Sequence, residues 1–234
     1  MTKVLVISDT HINPASKDCP YLWSALARYC IIHKPDCIVH LGDVADLDSQ
    51  AWLVKNRGKF TLEQEMEAVE ICLQSFHGVL DSYNNMRRAA KKKMYRPSLF
   101  LTLGNHDVRN SITDIDELFT DFGWYVSPYL EPVQIDGYSF CHSLRNGLSD
   151  NMCTTAKELL ENWHGNIVVG HGHHRDFHES YSLATNSQIM ALKSPCFMLE
   201  PSEWAVQTRN KWSLGFTEID TETNSFIWRG MECL

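Results

Sequence analysis

Lys3-Val4-Leu5-Val6-Ile7-Ser8-Asp9-Thr10-His11 is the stretch whose reading decides the fold. An unbroken apolar run of this length suits a strand buried on both faces, and it stops abruptly at polar, metal-capable side chains. The same pattern recurs downstream. Cys37–Leu41 leads into Gly42-Asp43, and Ser98–Leu103 leads into Gly104-Asn105-His106-Asp107. Between these runs the spacing turns helical. Tyr21–His33 carries Leu22, Ala25, Leu26, Tyr29, Cys30 and Ile32 on helical positions until Pro35-Asp36 breaks the pattern. Thr61–Lys93 reads as a long helix capped by Thr61, with Glu63, Glu65 and Glu67 near its positive end and Pro97 closing it. Strands alternating with helices predict a parallel sheet in this half of the chain.

The second half changes character. Val133–Ile135 and Tyr138–His142 flank Asp136-Gly137, a hairpin signal. A helix is expected over Thr154–Trp163, followed by strands at Asn166–Val169, Gln188–Leu192, Trp212–Ile219 and Ser225–Arg229, with turn residues at Asp220–Asn224. No repeat or linker interrupts the chain, so residues 1–234 are read as a single domain.

In open α/β sheets, ligands bind beyond the carboxyl ends of the strands. Ser8–His11, Gly42-Asp43, Gly104–Asp107, His142 and Gly170-His171-Gly172-His173-His174 all follow predicted strands and are therefore expected to converge. Asp9 and His11 lie two apart, so an extended chain would point both the same way, as it would His171 and His173. Gly170 and Gly172 would let the backbone turn tightly. Carboxylate, imidazole and amide oxygen together suit Mn²⁺, Fe or Zn²⁺ better than Ca²⁺. Two divalent ions would outweigh Asp9 and Asp43 and leave a cationic site for an anionic phosphate.

The ordered set DxH, GD, GNHD, a lone His and GHxH, from Asp9 to His173, resembles the calcineurin-like metallophosphoesterase superfamily. The GNHD ending is similar to that of its diesterase and DNA-repair-nuclease branches, though here without a capping domain. The resemblance implies an α/β fold, a four-layer αββα sandwich of two mixed sheets flanked by helices, around two divalent metal ions. These are expected to be Mn²⁺, with Fe, Zn²⁺ or Ni²⁺ as alternatives. By the family pattern Asp9, His11, Asp43 and His173 would hold one ion, and Asp43 would bridge to a second completed by Asn105, His142 and His171. His106 would face the substrate. Ions about 3.5–4 Å apart share a hydroxide that attacks phosphorus in line. His106 would donate to the phosphoryl group or protonate the leaving oxygen, with Asp107 orienting its ring.

The implied function is hydrolysis of phosphodiesters of nucleotide or nucleic-acid type. The alternatives are a small-molecule or nucleotide phosphomonoesterase and a non-catalytic scaffold of the same fold. The Arg-Gly of the protein-phosphatase pattern GDxxDRG is missing after Asp46, where Leu47-Asp48 stand, and all the ligand positions are filled. Candidate substrate contacts are the loop bases Lys55, Arg57, Arg109, Arg145 and Arg175; Lys59 lies in the first loop, with Trp52 and Phe60 interleaved. Trp204 is a candidate stacking aromatic. The basic run Arg87–Arg96 reads as a solvated helix end, because its helix terminates at the sheet edge opposite the metals.

The 234-residue chain is 44% hydrophobic and 21% charged, as a globular domain is. A net charge of -8 argues against general affinity for the nucleic-acid backbone and leaves a local basic cleft or a single strand open. Eight cysteines without a CxxC pair read as reduced thiols, several of them in the core. Val4–Ile7 is too short for a signal-peptide core and no stretch would span a membrane, so a cytoplasmic protein is expected.

Overall fold

The computed structural model describes residues 2–50, 59–109, 114–147, 151–184, 186–200 and 211–234. Chain order begins β1 (Lys3–Ile7), α1 (Cys19–His33), β2 (Cys37–His40), α2 (Leu62–Ala89) and β3 (Ser98–Thr102). Then follow α3 (Asp114–Asp121), β4 (Tyr125–Ser127), β5 (Val133–Ile135), β6 (Tyr138–Cys141), α4 (Ala156–Trp163) and β7 (Asn166–Val169). β8 (Asp176–Ser182), β9 (Ser187–Lys193), β10 (Phe216–Asp220) and β11 (Ser225–Arg229) complete it.

Among the described residues the strands make two mixed sheets, ordered β11-β10-β1-β2-β3-β4 and β5-β6-β7-β9-β8. β1 to β4 run parallel, with β10 antiparallel at the side of β1. β6, β7 and β9 are parallel, edged by antiparallel β5 and β8. The period-two alternation of strands sorts the side chains into layers. Val4, Val6, Cys37 and Val39 point inward to meet Tyr138, Phe140, Val168, Met190 and Leu192 of the facing sheet. Leu5, Ile7 and Ile38 point the other way, under α1, α2 and α3. Ile167, Val169, Ile189 and Ala191 pack beneath α4. This is the four-layer αββα sandwich that the sequence implies. It also explains why β1 reads as continuous apolar residues: both of its faces are covered.

Local chemistry sets the element ends. Pro20 starts α1, and Lys34 in left-handed conformation stops it. Thr61 with Gln64 and Thr155 with Glu158 form capping boxes for α2 and α4. Asp136 and Gly137 both have positive φ, 44° and 81°, as a tight two-residue hairpin requires. α2 ends at Ala89, short of the expected Lys93. Lys91 takes φ 53°, and Asn84 exchanges two 2.8 Å hydrogen bonds with the Tyr95 backbone. The basic run thus folds back over the last turn, at the amino end of β3 and away from Asn105. The sequence pattern does not announce α3, β4 or β8. β4 is three residues long, and β8 is an edge strand of polar composition, DFHESYS, with little apolar alternation. The expected strand over Trp212–Ile219 begins only at Phe216. The cysteines are free thiols, six of them buried. No described helix is long and apolar enough to cross a membrane.

Candidate metal centre

The loops after β1, β2 and β3 lie side by side. Asp9 N–H donates to the Gly42 carbonyl at 3.0 Å, His11 N–H to Asp43 at 3.1 Å and Ile12 N–H to Val44 at 2.8 Å. Glycine is required where two of these loops touch. A Cβ on Gly42 would lie 2.5 Å from Gly104 N, and one on Gly104 would lie 2.2 Å from Asp43 N. The facing sheet is tied in through His142 and the loop after β7. His142 Nδ1 lies 2.7 Å from the Leu41 carbonyl, and His171 N–H reaches the Asp9 carboxylate at 3.0 Å.

Asp43 Oδ2 is the hub. It lies 3.4 Å from His142 Nε2 and 4.0 Å from both His11 Nε2 and His106 Nε2. Around it, His173 Nε2 sits 3.2 Å from Asp9 Oδ1 and 3.2 Å from His11 Nε2. On the other side His142 Nε2 is 3.2 Å from His171 Nδ1 and 3.0 Å from Asn105 Oδ1. Two donor groups result, Asp9–His11–Asp43–His173 and Asp43–His142–His171. The donor atoms of each lie within 4.8 Å of one another, and Asp43 belongs to both. Each group can hold one ion, Asn105 adding an oxygen to the second.

The outer contacts fix which ring nitrogens are available. His142 donates Nδ1–H to the Leu41 carbonyl, and His11 places Nδ1 3.0 Å from Asp46 Oδ1. In both rings Nε2 is left facing the centre, the second contact that metal-binding histidines commonly have. Burial works to raise the carboxyls, yet His142, His106 and His11 hold Asp43, and His173 and His142 hold Asp9, well below the usual range. Conversely His11, beside Asp46, and His142, beside Asp43, are raised to about 9 against the lowering effect of burial. Ionised carboxylates and imidazoles packed this closely fit divalent cations.

The backbone here is strained in a consistent way. Asp9, His11, Asp43, His171 and His173 all adopt left-handed φ, between 44° and 61°. Non-glycine residues seldom do so, and such outliers collect at functional sites. This corrects two expectations. Asp9 and His11 do not lie on extended chain; a left-handed turn at each aims them together. In the loop after β7 the histidines, not Gly170 and Gly172, take the left-handed turns. The glycines serve clearance, since a Cβ on Gly170 would lie 1.9 Å from Ser8 Oγ and one on Gly172 2.3 Å from Lys193 Nζ.

His106 reaches the centre, but Asp107 does not orient its ring. The Asp107 carboxylate accepts the Val44 and Gly104 N–H groups at 2.9 and 2.8 Å, clamping the second loop to the third. His106 Nδ1 is 2.9 Å from the Asp46 carbonyl, and Arg109 Nη2 donates to His106 Nε2 at 2.8 Å. Burial, with His11 and Arg109 against the pull of Asp43, lowers His106 to about 4.

Of the expected substrate contacts, Arg109 lies beside His106, its Nη1 also 2.8 Å from the Asp46 carbonyl. Arg145 lies exposed on an isolated bridge to Met152. Arg175 is a correction: its guanidinium donates to the Leu214 and Arg229 carbonyls at 3.2 and 3.5 Å and packs over Trp228, so it braces β10 and β11. Lys55, Arg57, Trp52 and Trp204 lie outside the described residues.

Two side chains at the candidate centre escaped the sequence reading. Asp46 accepts from His11 and, at 2.9 Å, from Asn13. It also forms a third grouping with His11 and His106. Trp212 packs against His173 with ring centroids 4.1 Å apart and the planes tilted by 55°. Asp46 at least had a signal, the second acid of Gly42-Asp43-Val44-Ala45-Asp46. Trp212 had none beyond its residue type.

The sequence matches the profile of the calcineurin-like phosphoesterases over residues 2–214. No curated protein matches it. Among solved structures, the phosphoesterase Yfce from E. coli aligns over 98% of this chain and 100% of its own, at 13% identity and a TM-score of 0.44. The Pseudomonas putida nuclease MPE covers 86% and 80% at 15% identity and 0.39. The protein TT1561 of Thermus thermophilus covers 98% and 99% at 8% identity and 0.40.

Proposed function

Because the chain belongs to the calcineurin-like phosphoesterase family, we propose that it hydrolyses phosphate esters, phosphodiesters in preference, with two divalent cations held by the Asp43-centred donors. The observation that carries this reading is the position of Asp43, whose carboxylate is common to both donor groups. Asp9, His11, Asp43 and His173 would hold one ion, and Asp43, Asn105, His142 and His171 the other. Mn²⁺ is the first ion to load, with Fe, Zn²⁺ and Ni²⁺ as alternatives. When bound, the ions supply a water of lowered pKa and neutralise the phosphoryl oxygens.

The chain's own residues then divide the remaining work. Arg109, a guanidinium 2.8 Å from His106 Nε2, offers its fork to a phosphoryl oxygen. His106 is neutral near pH 7, with Nδ1–H directed at the Asp46 carbonyl, so once Arg109 turns to the substrate the ring Nε2 can take up the proton that the attacking water releases and pass it to the departing oxygen. Asp107 acts through the backbone, holding Asp43 and Asn105 in mutual register.

The charge around the site supports a diester. Arg109 is the guanidinium described at the centre, and the adjoining wall carries Asp46 and Asp48. A monoanionic diester is better tolerated there than a dianionic monoester. The test is hydrolysis of bis-p-nitrophenyl phosphate against p-nitrophenyl phosphate by Mn²⁺-loaded protein, with Asp43→Ala as control. Diester preference that disappears in the variant is expected. Monoester preference would redirect the reading to a phosphatase, and metal-independent turnover would refute it.

A further inference from the structure

A cavity of about 490 Å³ adjoins the centre, and Thr10, His11 and Asp46 form part of its wall. Sites for small organic ligands fall in the range of about 300–1,000 Å³, so this one accepts a single group of nucleoside size or smaller. Its apolar surface comes from Leu22, Phe60, Met198 and Leu199. Among the described residues its lining carries more carboxylates than lysines. Asp46 is engaged with His11 and Asn13, and Glu65 accepts the Asp48 and Ser49 N–H groups. That leaves Asp18, Asp48 and Glu200 facing the space against Lys17 and Lys59. Asp48 is further held by Arg109, 3.8 Å away.

We propose that this cavity binds an organic substituent of the scissile ester, and that the substituent is one uncharged group with hydrogen-bond donors rather than a continuing phosphodiester strand. The proposal rests on the phosphoesterase reading and narrows its substrate class. Continuity carries the first half: His11 is both a candidate metal ligand and a wall of the cavity, and Asp46, which holds the His11 ring, lines it too, so the cavity lies within reach of a substituent on a phosphoryl group at the centre. Lining chemistry carries the second. An apolar surface suits a ring or short chain, and carboxylates that accept hydrogen bonds suit hydroxyl and N–H donors. The same carboxylates repel a second phosphate, which a nucleic-acid strand would bring with every residue.

The Mn²⁺-loaded chain tests this with three chromogenic esters: methyl p-nitrophenyl phosphate, thymidine 5′-(p-nitrophenyl phosphate), and the thymidine ester bearing a 3′-phosphate. The thymidine ester is expected to show a KM lower than the methyl ester by about tenfold, and the 3′-phosphate to reverse that gain by a similar factor. Leu199→Trp, at an exposed lining position, should depress kcat/KM for the thymidine ester far more than for the methyl ester. Glu200→Lys should relieve the penalty of the 3′-phosphate. Equal KM for methyl and thymidine esters, or tighter binding of the 3′-phosphorylated one, overturns the cavity assignment while leaving the phosphoesterase reading intact. Absence of metal-dependent turnover with every ester overturns both.

Discussion

Replacing Asp46 by asparagine separates holding the metal from using it. Asp46 Oδ1 is 3.0 Å from His11 Nδ1, and Oδ2 accepts from Asn13 Nδ2 at 2.9 Å. In Asp46→Asn the amide oxygen can still accept from His11, but its NH₂ then meets the Asn13 NH₂. Asn13 can turn its own amide only by giving up the 3.0 Å bond that its Oδ1 accepts from Ala15 N–H. The variant therefore loses one hydrogen bond, worth about 1 kcal/mol, and the negative charge that makes His11 a better donor. Removal of such an outer partner weakens metal binding by about 10–100-fold, or ~1.4–2.8 kcal/mol. The Asp46 backbone carbonyl, which holds His106 and Arg109, is untouched by the change. The expected result is a half-saturating Mn²⁺ concentration raised about 10–100-fold, with kcat at saturating metal within a few-fold of the natural chain. The assay is a metal titration of diester hydrolysis, paired with chelator competition. Unaltered metal affinity with a collapsed kcat would refute the assignment and make Asp46 a participant in the chemistry.

Arg109→Ala should lower kcat/KM for the diester by about 10²–10³-fold, and in combination with His106→Ala the losses should fall well short of additive, since the two share a hydrogen bond. Additive losses in the double-mutant cycle would separate their roles. Arg175→Ala should cost about 1–3 kcal/mol of stability by orphaning the Leu214 and Arg229 carbonyls, with a Tm several degrees lower and KM for small diesters unchanged; a raised KM without a change in Tm would return Arg175 to the substrate. In protein stripped with chelator, His11 and His142 stand at about 9 rather than the ordinary 6.5. Their stabilising contribution is complete below pH 6.5 and is lost as pH rises through about 9, so the Tm of stripped protein should fall over that window. Mn²⁺-loaded protein should resist the fall, because binding demands deprotonated imidazole. A Tm of stripped protein that climbs across the window would contradict the raised values.

What the sequence disclosed and what it withheld follow from one physical difference. That the candidate donors converge was legible because several follow strands whose burial leaves a visible pattern: Val4–Ile7 before Asp9, Cys37–Leu41 before Asp43, Ile167–Val169 before His171. The parallel run of β1, β2 and β3 was legible for the same reason, whereas the four layers came from the resemblance of the ordered motifs. β4 and β8 were not legible, being short or lying at a sheet edge where little apolar alternation is demanded. Arg175, braced against the Leu214 and Arg229 carbonyls, shows that a loop arginine looks the same in sequence whether it faces solvent, a phosphate or two backbone carbonyls.

The least legible layer is the one that orients the ligands. His142 is aimed by the Leu41 carbonyl, His106 by the Asp46 carbonyl, and Asp107 exerts its effect through the amides of Val44 and Gly104. A backbone partner has no residue type, so no motif can record it. What the motif does record is the clearance that lets those backbones meet. Gly42 and Gly104 mark where the Asp43 and Asn105 loops touch, and Gly170 and Gly172 mark where the His171 loop passes Ser8 and Lys193. The left-handed turns at Asp9, His11, Asp43, His171 and His173 cost of order 1–3 kcal/mol each. Strain concentrated on the donors themselves, rather than on the glycines between them, is consistent with a geometry kept for what the donors hold.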